Sequence, residues 1–145
     1  MEYVAGKTLR EMLEQGAFPW QQAVTLGMQI AEGLWEAHRV KIVHRDIKPT
    51  NIIVRTTAAG EAVKLLDFGI AKSMNAELTE LTRVGTVIGT VKYMAPETFP
   101  PTQHYSELSD LYAWGAVLYE MLIGKAPFKV FVSDTEPPRW EPEIP

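Results

Sequence analysis

The chain has 145 residues, a length that suits one domain. Its net charge of -4, with no run of Lys or Arg, excludes the basic face of a nucleic-acid binder. The absence of cysteine excludes disulfides, zinc–thiolate centres and cysteine nucleophiles.

Residues 1–5 are short and apolar, and Gly6 breaks them. Residues 8–15 read as a helix: Thr8 as N-cap and Glu11 three positions on make a capping box, and Gly16 is a stop signal. Pro19 suits the first turn of a second helix over residues 20–39, where Ala23, Leu26, Ile30, Leu34 and Ala37 recur at spacings of three and four. Residues 41–44 read as a short β-like run, and a polar loop containing Pro49 follows. Residues 51–55 and 62–66 read as two strands, joined as a hairpin through residues 56–61. Asp67-Phe68-Gly69 ends the second strand. Residues 72–92 are rich in Thr and Gly, with weak periodicity, and read as a long surface loop. A further helix is expected over residues 107–123, with Leu111, Trp114, Val117, Leu118 and Met121 on its apolar side, closed by Gly124 and then Pro127. The tail from Ser133 carries Pro137, Pro138, Pro142 and Pro145 and reads as an extended or disordered end. This order predicts a mostly helical α+β unit over residues 1–132, with residues 133–145 as a Pro-rich tail.

No apolar stretch approaches the roughly 20 residues that span a bilayer, and the N-terminus lacks the regions of a signal peptide. A cytoplasmic location is the expectation. His38 and His104 read as ordinary helix-end and loop histidines, and Trp20, Trp35 and Trp114 as packing residues at helix-compatible positions.

The chemistry concentrates in His44-Arg45-Asp46-Ile47-Lys48-Pro49-Thr50-Asn51. A carboxylate is followed by a cation two residues later and an amide five residues later, and the hairpin returns the chain to a second acid, Asp67. Such a set suits phosphoryl chemistry. A magnesium ion takes one or two protein oxygens plus phosphate oxygens. A lysine offsets charge on the transferred group. The remaining carboxylate can accept a proton from an attacking hydroxyl. Taken alone, Asp46 would read as a loop acid making an Asx-turn.

This segment resembles the protein-kinase catalytic loop H-R-D-x-x-x-x-N, Asp67–Gly69 resembles D-F-G, and Ala95-Pro96-Glu97 resembles the A-P-E that closes the activation segment. The three occur in family order at family spacing. The wording of MEYVAGKTL, HRDIKPTN and DFGIAK is similar to bacterial kinases of the eukaryotic (Hanks) type, over about residues 1–128. The resemblance implies the large lobe (C-lobe) of a serine/threonine protein kinase that starts at the hinge. Its cofactors would be ATP and Mg²⁺, and its partner a protein substrate bearing Ser or Thr. It implies Asp46 as catalytic base, Lys48 on the γ-phosphate and substrate, and Asn51 and Asp67 as metal ligands. The backbones of Glu2 and Val4 would meet the adenine edge, with Ile53 under the ring. His44 would pack on Phe68, Gly69 would complete the D-F-G turn, and Asp110 would anchor the catalytic-loop backbone. Thr90 would bond near Asp46 and Lys48. Arg45 would pair with an activation-loop phosphothreonine, with Thr82 the first candidate, then Thr86 and Thr79. Glu97 would pair with a buried Arg, and Arg139, in the Pro-rich tail, does not suit that place.

The sequence begins where the hinge would begin and contains no G-x-G-x-x-G and no strand Lys with its helix Glu partner. The chain alone is therefore expected to bind ATP poorly and to phosphorylate little. Apolar surface at the place of further helices is expected to favour self-association. A non-catalytic, pseudokinase-like binding or regulatory module is the alternative. A small-molecule phosphotransferase shares the Asp…Asn…Asp pattern, and Lys48-Pro49, Gly89-Thr90 and Ala95–Glu97 argue against it.

Overall fold

The computed structural model describes residues 6–68, 91–99, 102–131 and 139–142. In chain order the elements are β1 (Lys7–Thr8), α1 (Leu9–Leu13), α2 (Trp20–Arg39), β2 (Ile52–Thr57), β3 (Gly60–Leu65), α3 (Glu107–Ile123), β4 (Phe128–Phe131) and β5 (Arg139–Pro142). Short 3-10 turns lie at Pro49–Asn51, Val91–Tyr93 and Pro96–Thr98. The architecture is helical with two small antiparallel sheets, in keeping with an α+β class.

The capping box forms as its residues dictate. The Glu11 amide donates to Thr8 Oγ1 at 3.2 Å, and the Thr8 amide donates to Glu11 Oε2 at 2.6 Å. The helix is shorter than residues 8–15, because the amides of Gln15 and Gly16 turn back to Met12 and Leu13 in tight bonds. Gly16 follows with φ +119°. In α2 the expected stripe of Ala23, Leu26, Ile30, Leu34 and Ala37 is buried, while Pro19 stands at the cap position rather than inside the first turn.

Residues 41–44 are not a strand. The amide of Lys41 bonds the His38 carbonyl at 2.9 Å and that of Ile42 bonds the Ala37 carbonyl at 3.0 Å, with Lys41 at φ 61°. This left-handed helix ending consumes the amides that a strand would have offered.

The first sheet has the order β1-β2-β3, all antiparallel. The hairpin register runs from Ile52 opposite Leu65 to Thr57 opposite Gly60, so the turn is only Ala58-Ala59 and the strands are longer than expected. Gly6 has to be glycine: a Cβ there would lie 2.6 Å from Ile53 Cγ2 and 2.8 Å from the Val54 carbonyl oxygen, at φ +152°.

The core joins α1, α2, α3 and the inner face of the sheet through Leu9, Leu26, Ile30, Ile52, Val117 and Met121. The bounds of α3 match the sequence expectation, and of its expected apolar side Val117 and Met121 are buried and Trp114 and Leu118 pack against the core, while Leu111 does not. Ser109, Asp110, Ala113, Val117 and Glu120 face inward, and Leu111 is 45% exposed. The Asp110 side chain is drawn into the loop at residues 44–45, and this fixes the helix so that Leu111 turns outward. Beyond Gly124, which closes α3 at φ 80°, β4 pairs with β5 from Phe128 opposite Pro142 to Phe131 opposite Arg139. Residues 139–142 are thus a paired strand within the Pro-rich tail.

Candidate active site

The loop between α2 and β2 hangs from one carboxylate. Asp110, only 2% exposed, accepts the amide of His44 at 2.8 Å on Oδ2 and that of Arg45 at 2.9 Å on Oδ1. His38 Nε2 lies 2.8 Å from the same Oδ2. Arg45 sits at φ 68°, a costly conformation for a side-chain-bearing residue, and the bond to its amide helps to hold it there. Its guanidinium lies 6.0 Å from the Tyr105 ring centroid.

From this anchor the chain presents Asp46. Lys48 Nζ lies 2.9 Å from Asp46 Oδ1, and Asn51 Nδ2 donates to Asp46 Oδ2 at 2.7 Å and to the Asp46 carbonyl at 2.9 Å. The Asn51 amide nitrogen is therefore committed to Asp46, which turns its oxygen toward another partner. The turn at Pro49–Asn51 brings Asn51 back within reach: its own amide bonds the Lys48 carbonyl at 2.9 Å.

Asp67 is tied to the same loop from both sides. The amide of Leu66 donates to the Asn51 carbonyl at 2.8 Å, and the Phe68 ring stands 4.5 Å from the His44 ring, tilted by 43°. Asp67 itself is exposed at φ 50°. The structure thus gathers Asp46, Lys48 and Asn51 by direct bonds and carries Asp67 between two contacts to their loop. An amide oxygen, an exposed carboxylate and a nearby lysine fit a hard cation bound together with phosphate.

His44 is fully buried. Its Nδ1 accepts the Asp46 amide at 3.3 Å, and its buried Nε2 has no hydrogen-bond partner among the described residues. Burial pushes its imidazole below the ordinary value, against the opposing pull of Asp110.

Comparison with known proteins gives the arrangement its family. The protein kinase domain model matches residues 1–136. This chain belongs to the protein kinase domain family. It is 45% identical over 130 residues to the probable serine/threonine-protein kinase CPE1738 of Clostridium perfringens, covering 88% of this chain and 18% of that protein. It is 42% identical to the serine/threonine-protein kinase PknB of Mycobacterium leprae (88% of this chain, 20% of that protein) and 39% identical to pkn2 of Myxococcus xanthus (88% and 15%). The chain thus spans a fifth or less of the length of these relatives.

Several kinase positions named from sequence fall outside the described residues: Glu2, Val4, Gly69, Thr79, Thr82, Thr86 and Thr90. Ile53 is buried in β2 opposite Thr8, on the sheet face away from Ile52 and Val54. Glu97 is half-buried, its carbonyl accepts the His104 amide at 2.9 Å, and among the described residues no basic side chain pairs with it. Trp114 packs and donates to the Gly27 carbonyl at 2.9 Å, whereas Trp20 and Trp35 are 65% and 64% exposed rather than packed.

Two features escaped the sequence reading. His38 is no ordinary helix-end histidine but a buried partner of Asp110; its spacing of four from Leu34 was the available signal. Arg10, Tyr93 and Glu120 form a second network. Arg10 Nη1 reaches Glu120 Oε1 at 3.2 Å, Tyr93 Oη donates to Glu120 Oε2 at 2.6 Å, and Arg10 Nη2 also bonds Tyr93 Oη. Glu120 lies on the inward stripe of α3, but its partners are far away in sequence.

Proposed function

We propose that these residues form the C-lobe part of a serine/threonine protein kinase and carry ATP-dependent phosphoryl transfer to a protein Ser or Thr hydroxyl. The observation that carries this reading is the bonded cluster of Asp46, Lys48 and Asn51 on a loop hung from buried Asp110. Asp46 accepts the hydrogen bond of the attacking hydroxyl and orients it, while Lys48 and Asn51 hold the carboxylate in one direction. Lys48 also offsets charge on the transferred group. Asn51 and Asp67 are the ligands for Mg²⁺, which when bound neutralises phosphate charge. Ile53, with the backbones of Glu2 and Val4, receives the adenine. Arg45 faces a phosphothreonine, Thr82 first and then Thr86 or Thr79, while its amide stays on Asp110. His44, Phe68, Gly69, Thr90, Glu97 and Asp110 are supporting residues.

The 145 residues contain no glycine-rich phosphate loop, so this chain by itself binds ATP weakly and turns over slowly. The domain is read as residues 1–132, with residues 133–145 as its tail, working in the cytoplasm. Among the described residues no helix is long and apolar enough to cross a membrane. The exposed Trp35, Leu108 and Leu111 favour association with another apolar surface, a second copy included.

The test is transfer from γ-labelled ATP to a protein substrate by the purified chain, beside Asp46→Asn. Slow transfer that Asp46→Asn lowers by about 10²–10⁴-fold is expected. Turnover within the usual kinase range of about 1–100 per second would contradict the weak-activity part. No Asp46-dependent transfer, together with no rise in melting temperature on adding Mg-ATP, would favour the non-catalytic module.

A further inference from the structure

We propose that the cavity beside Lys48 is a substrate subsite that selects an acidic side chain next to the phosphorylated Ser or Thr. The subsite presupposes the phosphotransfer reading above. The cavity, about 280 Å³, is walled by Arg10 of α1, by Lys48, Pro49 and Thr50, by Lys92 and Tyr93, and by Glu120 of α3. A volume that holds several waters at ~30 Å³ each accommodates a carboxylate side chain. Lys48 is both a wall of this cavity and the 2.9 Å partner of Asp46, so a peptide whose hydroxyl reaches Asp46 passes the opening with a neighbouring residue.

The sign of the preference follows from which charges are already spoken for. Among the described residues Glu120 is the only carboxylate in the wall, and both its oxygens are engaged. Oε1 takes Arg10 Nη1 at 3.2 Å, and Oε2 takes Tyr93 Oη at 2.6 Å and Arg10 Nη2 at 3.4 Å. Burial and the Glu120 carboxylate hold the Tyr93 phenol well above its usual range, so Tyr93 remains a donor to Glu120 at every working pH. A cationic peptide side chain would have to displace Arg10 before it met a negative charge. Lys48 is committed to Asp46. Lys92, in contrast, makes no hydrogen bond or ion pair among the described residues, and it is half-buried at the cavity wall. Its ammonium, backed by the partly exposed guanidinium of Arg10, sets a positive potential inside a partly enclosed space, where a charge interaction is screened less than on open surface. A glutamate or aspartate of the substrate completes Lys92.

The experiment uses peptides identical but for Glu, Gln or Lys at each position flanking the acceptor hydroxyl. Binding to the chain is read by fluorescence anisotropy, with phosphoryl transfer measured in parallel. At one position Glu is expected to bind about tenfold more tightly than Gln, the scale of one charge-assisted hydrogen bond, and Lys more weakly than both. Lys92→Gln removes the difference, and Lys92→Glu reverses the order in favour of Lys. Lys92 lies on a short turn between buried Val91 and Tyr93, and circular dichroism checks that both variants keep the fold. Equal binding of Glu and Gln peptides at every position, no peptide binding at all, or a Glu preference that persists in Lys92→Glu overturns the subsite. A wild-type preference for Lys overturns it too, and would mean that Glu120 opens to cations. The two readings fail separately: transfer without the ranking sinks the subsite alone, while the ranking with neither Asp46-dependent transfer nor a rise in melting temperature on adding Mg-ATP sinks the phosphotransfer reading and leaves an acidic-peptide site.

Discussion

Two neighbouring regions of the α2–α3 pair are built in opposite ways. On one side Asp110, almost fully buried, gathers two backbone amides and the His38 ring, and it holds a loop that includes a residue at positive φ. Next to it, with His38 shared between the two, the same helices leave a groove of about 1000 Å³ whose apolar wall is Leu34, Trp35, Val43, Leu108 and Leu111, with Leu108 71% exposed. The polar side is directional: each donor needs its acceptor at a defined place, and losing one strands a buried group. The apolar side is non-directional and scales with area alone. A polar anchor fixes the conformation of the loop at residues 44–51 in a way that apolar contact cannot.

The largest way to break that contrast is Asp110→Ala. The buried His44 amide, the partly buried Arg45 amide and His38 would lose their acceptor together, and a loss of about 3–5 kcal/mol in unfolding free energy is expected. Urea denaturation measures it. Because the Arg45 amide is freed at the same time, phosphoryl transfer should fall even under conditions where the variant is fully folded. A loss below about 1 kcal/mol would mean that apolar packing, not Asp110, holds the loop.

Much of this was legible in the sequence, for physical reasons. The bounds of α2 and α3 follow from apolar periodicity closed by a helix-ending turn and by Gly124, and the Thr8–Glu11 box from its spacing. Asp46, Lys48 and Asn51 lie within six residues on one tight loop, so their convergence is local. What stayed illegible depends on long-range partners. Tyr93 and Glu120 meet across 27 positions, Arg10 and Glu120 across 110, and His38 and Asp110 across 72. No local pattern encodes such pairings. The run at residues 41–44 misled because its β-branched residues favour a strand, while the end of α2 took the amides of Lys41 and Ile42 first. The outward turn of Leu111 likewise reflects where Asp110 points, while Trp35 lies off the buried stripe of α2 and is exposed.

A pH titration sharpens the polar side of the comparison. Burial keeps His44 neutral in the fold, below the ordinary value of 6.5, and its Nδ1 already accepts the Asp46 amide. Between the depressed folded value and 6.5 the unfolded chain binds more protons than the native one, so stability rises with pH across that window. The His44 contribution is therefore fully present above 6.5 and is lost as pH falls below it. Urea melts taken from about pH 7.5 down to about 5.5 should show a decline that is shallower in His44→Phe, by at most about 1.4 kcal/mol per pH unit. Equal slopes in the two proteins would place His44 in a site that tolerates its charge.

The groove gives the smallest effect and the sharpest contrast with Asp110. Trp35 and Leu108 are mostly exposed, so replacing them removes little buried area. Trp35→Gln with Leu108→Lys should change unfolding free energy by no more than about 0.5 kcal/mol per site. Their exposed area still acts between molecules, because burying apolar surface contributes roughly 25 cal/mol per Å² wherever the partner comes from. Sedimentation velocity over a concentration series should therefore show less association in the double variant than in the wild type, at nearly equal stability. A large loss of stability would mean that these side chains already pack within their own molecule, and the groove would then belong to the core rather than stand open beside it.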